Sequence, residues 1–82
     1  MRTNVDVSML KKGDIVEVVD APAYRNSKAW KGVIAIVDHR RQEGVYFKFI
    51  SARPDGWEFD EFRLMFDDKH SGVRLLTHAE GV

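Results

Sequence analysis

Asp67-Asp68-Lys69-His70 places two carboxylates and an imidazole close together, and these are donor types that hold a divalent cation, with His39 or His78 able to complete a set. Metal ligands must converge in space, however, and a polar hairpin tip takes the same composition for solubility alone. Glu58, Asp60 and Glu61 form a second group, spaced closely enough for an acid–base pair. Strand alternation puts Glu58 and Asp60 on the solvent side, opposite Trp57 and Phe59, where nothing would shift a carboxyl toward neutral pH. Their chemistry is then charge pairing with a basic partner rather than proton transfer. The chain holds no nucleophile elbow, no phosphate-cradling glycine loop and no His-Glu-x-x-His pattern. We therefore expect no catalytic residue, no metal and no cofactor, and a protein that is not an enzyme.

Residues suited to binding are more prominent. Two Trp and two Tyr in 82 residues exceed what a small isolated core readily hides. Tyr24 and Trp30 stand among Arg25, Lys28 and Lys31, so Tyr24, Arg25, Lys28 and Trp30 are the candidate partner-binding set, an aromatic and basic surface. The competing structural role is a plug, with Trp30 closing the open end of a small barrel and Tyr24 packed on it. Tyr24 follows Pro22 and lies further from the next strand, which makes it the more exposed of the two. Tyr24→Ala is then expected to keep the fold and weaken binding, whereas Trp30→Ala mainly destabilises. Arg40, Arg41, Lys48 and Arg53 are the candidate phosphate contacts if the partner is a nucleic acid. Solubility of a charged hairpin tip explains the same residues without a ligand.

The elements that position these side chains are short and recur with turn signals between them, the spacing of an all-β domain. Lys11-Lys12-Gly13-Asp14 turns into Ile15-Val16-Glu17-Val18-Val19, a β-branched strand with Val16 and Val18 on one face. Asp20 to Trp30 lacks alternation and reads as one long loop with room for a single helical turn. Lys31 to Asp38 is nearly continuously apolar, as expected of a central strand covered on both sides.

After the polar connection His39 to Gly44, Val45-Tyr46-Phe47-Lys48-Phe49-Ile50 alternates, with Val45, Phe47 and Phe49 inward. Arg53-Pro54-Asp55-Gly56 is the next reversal, and Trp57 to Asp60 follows with period two. Asp60 to Leu64 reads either as a single helical turn or as the start of the next strand, and a short turn before Leu64-Met65-Phe66 is the expectation. Val73-Arg74-Leu75-Leu76 returns as an edge strand beyond a polar reversal at 67–72, and residues 77–82 read as a frayed tail. The expected core is Val16, Val18, Ile34, Ile36, Phe47, Phe49 and Phe59, with Leu64 and Leu75 at its margin.

Length allows one domain over residues 1–82 and a small core. Cysteine is absent, so neither a disulfide nor a thiolate metal site supports that core. The first residues carry no apolar stretch behind their charge, and the run Val33 to Val37 is too short to span a bilayer. A cytoplasmic protein with no membrane association is expected. Thirteen Lys and Arg balance thirteen Asp and Glu, against bulk electrostatic coating of nucleic acid. The balance hides an asymmetry: residues 1–54 hold ten basic and six acidic side chains, residues 55–82 three and seven.

Lys12-Gly13-Asp14-Ile15-Val16-Glu17-Val18, then Trp30 to Val37, then Tyr46-Phe47-Lys48-Phe49 together resemble a small five-stranded SH3-like barrel, and more narrowly the KOW-type modules, with Ala35 where those modules often have a second glycine. Over about residues 11–66 the chain is also similar to short SH3-like proteins encoded by bacteriophages, through Val18-Val19-Asp20-Ala21-Pro22-Ala23-Tyr24, Lys31-Gly32 and Trp57-Glu58-Phe59. The phage resemblance implies a small accessory protein, working in the host cytoplasm, that docks on and modulates a larger host or viral protein. The KOW resemblance implies the alternative, a nucleic-acid-binding module using the loop aromatics and the basic hairpin. A protein partner is the expectation and a nucleic acid the alternative. The pattern leaves the oligomeric state open.

Overall fold

Gly13 has a backbone φ of 93°, a conformation that glycine adopts at little cost, and this lets the chain reverse between Lys11 and Asp14. Asp14 locks the reversal: its buried carboxylate accepts the Lys11 backbone N–H at 2.9 Å, and its own N–H donates to the Lys11 carbonyl at 3.0 Å. The turn also fixes the neighbouring strand, because Gly13 N–H donates to the Val37 carbonyl and Val37 N–H to the Asp14 carbonyl. The Gly-Asp pair is thus a backbone device rather than a chemical site.

In the computed structural model, which describes residues 7–20, 27–66 and 72–77, five strands follow from this start. They are β1 (Ile15–Asp20), β2 (Ile34–Arg40), β3 (Gly44–Phe49), β4 (Glu61–Met65) and β5 (Gly72–Thr77). A 3-10 turn spans Val7–Met9, and a single helical turn, α1 (Ser27–Trp30), precedes β2. The strands form one antiparallel sheet in the order β4-β3-β2-β1-β5. The protein is therefore all-β, with β2 central and β4 and β5 at the two ends. Hydrogen bonding does not close the sheet between β4 and β5 among the described residues. No helix among them is long and apolar enough to cross a membrane.

One face of the sheet carries the core: Val16 and Val18, Ala35 and Val37, Val45 and Phe47, Phe62 and Leu64, and Val73. Leu10 and Trp30 pack onto it from outside the strands. Val16, Val18 and Phe47 are buried as the alternation requires; Leu64, expected at the margin, is buried as well, and Phe49 and Leu75 pack against the core while partly exposed.

Three expectations are corrected. Ile34 and Ile36 face outward and are half-exposed, because the register pairs Val16 with Ala35 and Ile15 with Ile36, and directly paired residues share a face. Phe59 is 62% exposed and belongs to no strand, since the segment before β4 is irregular. The stretch after Asp60 is strand from Glu61 onward rather than a helical turn, its Phe62 opposite Phe47 and its Leu64 opposite Val45.

Candidate functional site

An aromatic cluster runs from the core to the surface. Trp30, 2% exposed, sits at its base, with ring centroids 5.0 Å from Phe62, 5.1 Å from Trp57 and 5.9 Å from Phe49. Its place follows from local backbone: Val33 N–H closes back on the Trp30 carbonyl, and Gly32, at φ +85°, turns the chain from α1 into β2. Phe62 stacks on Phe47 at 4.8 Å and 10°. Trp57 stands edge-on to Trp30 and donates its indole N–H to the Glu61 carbonyl at 3.1 Å, so its polar atom is satisfied within the protein. Phe59 meets Trp57 at 5.6 Å and 72°, with most of its ring in solvent.

Trp57, Phe59 and Phe62 of this cluster line a shallow groove of about 250 Å³ together with Tyr46, Glu61 and Arg63. Its floor is apolar and its rim carries both signs, Glu61 and Arg63 within it and Glu58, Asp60 and Arg53 beside it in the chain. Arg53 is engaged locally, donating to the Glu58 carbonyl at 3.1 Å and approaching the Asp60 carboxylate at 3.4 Å.

The far wall of the groove belongs to a second constellation on the outer sheet face. The register aligns His39, Tyr46 and Arg63 across β2, β3 and β4. His39 stacks on Tyr46 at 4.6 Å and 10°, while the Arg41 and Arg63 guanidinium carbons lie 5.3 and 5.9 Å from the Tyr46 ring centre. Asp38 Oδ2 lies 2.7 Å from His39 Nδ1, and Arg41 Nε donates to His39 Nε2 at 3.2 Å, which assigns the neutral imidazole its proton on Nδ1. The Tyr46 hydroxyl donates to Glu43 Oε2 at 2.6 Å and accepts from Arg63 at 3.3 Å. The hydrogen bond from Tyr46 holds the Glu43 carboxyl below its ordinary range, and that with His39 does the same for Asp38. The arginines here are thus balanced by nearby carboxylates.

The fold separates the basic side chains expected to contact phosphate. Arg40 turns inward along the surface, donating to the Ser8 and Leu10 carbonyls and lying 5.4 Å from the Phe66 ring centre. Arg41 joins Tyr46, whereas Lys48 and Arg53 line another shallow depression together with Asp60. Of the loop set, Lys28 is exposed and Trp30 is buried as a plug would be; Tyr24 and Arg25 lie outside the described residues, as do Asp67, Asp68, His70 and His78. No cluster of three or more potential metal ligands occurs among the described residues. Alternation alone assigns Phe59 to the core and so conceals the groove; the signal for it is Pro54 and Gly56 just upstream, which disfavour a regular strand there.

What the fold defines is an all-β domain built on one five-stranded antiparallel sheet. Comparison with family models, with curated proteins and with solved structures gives no match in any of the three.

Proposed function

We propose that the chain is a non-catalytic protein-binding module that docks on a larger protein through the groove of Tyr46, Trp57, Phe59 and Phe62. The observation that carries this is Phe59, a large aromatic side chain 62% exposed and held against a Trp that is itself braced by the core. Leaving such a ring in water forgoes roughly 1–2 kcal/mol of burial that a partner can recover. An apolar floor with a mixed-charge rim is the composition of a protein interface, in which a few aromatic anchors supply most of the affinity. The resemblance to short bacteriophage SH3-like proteins agrees with an accessory role toward a host or viral protein.

A second reading, a nucleic-acid-binding module of KOW type, draws on the placement of Arg41 and Arg63 near the Tyr46 ring, since aromatic and guanidinium surfaces support stacked bases. Glu43 and Asp38 beside them oppose phosphate binding.

The test is site-specific photo-crosslinking in a bacterial lysate, with the photoreactive residue at position 59 and, as control, at position 76 on β5. A nuclease-resistant protein adduct at position 59, absent from position 76 and competed by unlabelled protein, is expected. A nucleic-acid adduct at position 59, or no adduct, would overturn the docking assignment.

A further inference from the structure

We infer that the corner between Trp57 and Phe59 receives a lysine or arginine side chain from an extended basic segment of the partner, an assignment that rests on the docking function proposed above. The two rings meet at 72° with centroids 5.6 Å apart, so they form two walls of one corner open to solvent. Trp57 commits its N–H to the Glu61 carbonyl, so its contribution to the corner is ring surface. Aromatic faces carry negative quadrupole charge and attract cations held within about 6 Å of the ring centre.

The stretch that carries the corner is acidic, although Arg63 also lines the groove. Residues 55–61 contain Asp55, Glu58, Asp60 and Glu61 and no Lys or Arg. Among the described residues Glu58 and Glu61 make no ion pair, while Asp60 is shared with Arg53. The same groove already shows this chemistry within the chain, because Arg63 lies 5.9 Å from the Tyr46 ring centre at its other end. An incoming cation would therefore meet the Trp57 and Phe59 rings and the carboxylates of residues 55–61, while the like charge of Arg63 is held at Tyr46. An anion would meet those carboxylates and no donor from Trp57. An extended segment suits the site because the groove is shallow and continues past the corner toward Tyr46.

The inference is tested by titrating the full chain with a capped nine-residue peptide of alternating arginine and serine, and with the same peptide carrying citrulline, which keeps the shape of arginine and removes its charge. Chemical shifts of the Trp57 indole N–H and the Phe59 ring are followed. The arginine peptide is expected to bind at those two residues at least fivefold more tightly than the citrulline peptide. Phe59→Ala should weaken it by about three- to thirtyfold, as expected for a cation held on an aromatic ring. Glu61→Gln, which keeps the shape of the rim, should weaken it less, and added salt should weaken it further.

A citrulline peptide bound within fivefold of the arginine peptide, arginine binding indifferent to Phe59→Ala, or no arginine binding at millimolar concentration would each overturn the inference. So would a single-stranded oligonucleotide that shifts the same two residues in place of the peptide. If a protein is crosslinked at position 59 while the arginine peptide fails, docking stands and the cation assignment falls. If no protein is crosslinked there, the docking assignment falls first.

Discussion

Trp57 stands edge-on to Trp30, with ring centroids 5.1 Å apart and planes at 75°, so that a fully buried indole supports a half-buried one. The contact joins the core to the groove, because Phe62 packs against Trp30 on one side and Phe59 against Trp57 on the other. Stability and binding should consequently divide along this row of rings.

Trp30→Ala should cost about 3–5 kcal/mol, the usual penalty for removing a large buried aromatic side chain, and most of a small domain's stability. Phe47→Ala, which empties a site of 0% exposure at the centre of β3, should cost a similar amount. Urea denaturation measures both. A Trp30→Ala protein within about 1 kcal/mol of the parent would show that the indole does not support the core.

Gly44 opens β3 where a Cβ atom would fall 2.3 Å from the Leu64 carbonyl oxygen, a backbone atom that cannot move without disturbing the β3–β4 ladder. Gly44→Ala should destabilise by about 1–3 kcal/mol through this overlap. Gly56→Ala meets no neighbour and should lose only about 1–2 kcal/mol, from its φ of +88°. Thermal unfolding of the two variants compares the effects, and loss of hydrogen-exchange protection along β4 is expected for Gly44→Ala alone.

Arg40 serves the fold. Its guanidinium donates to two carbonyls of the segment before β1, one of them on the buried Leu10. Arg40→Ala should cost about 1–2 kcal/mol, within the range of hydrogen bonds to charged groups. Arg41→Ala removes only exposed contacts and should change stability by less than about 0.5 kcal/mol. Equal losses of stability in the two variants would argue against the tethering role of Arg40.

The Glu43 carboxyl is held below its ordinary 4.5 chiefly by the hydrogen bond from Tyr46, with its own backbone hydrogen bond acting in the same direction. Its folded pKa lies below the unfolded one, so the stabilisation it gives is fully present above about pH 4.5 and is lost as the pH falls through the folded value. Asp38, lowered first by the hydrogen bond with His39, acts with the same sign from its ordinary 3.8 downward. Carboxyl titration by NMR should give Glu43 a midpoint under 4.5 that rises in Tyr46→Phe. A midpoint unmoved by that substitution would remove the hydrogen bond as its cause.

Elements whose alternation is strong were legible in the sequence, and those whose alternation is weak were not. Val45, Phe47 and Phe49 alternate with Tyr46 and Lys48, which assigns the faces of β3 correctly. In β2 both parities are apolar, so the pattern Val33 to Val37 cannot say which residues turn inward; the pairing of Val16 with Ala35 decides it, and that is a long-range fact. Trp57 and Phe59 have strand spacing without strand structure, which hid the groove among expected core residues. The plug role open to Trp30 could be read from its place after a loop. The stacking of His39 on Tyr46 could not, since it depends on a register shift between Val37 and His39.

The most direct test of the docking surface is the pair of measurements made on Phe59→Ala: its melting temperature, and the photo-crosslinking yield from position 61 at the groove rim. Because the ring is 62% exposed, the melting temperature should stay within about 3 °C of the parent, corresponding to less than about 0.5 kcal/mol, while the yield of the partner adduct falls at least fivefold. An undiminished adduct in a folded Phe59→Ala protein would contradict docking through this groove.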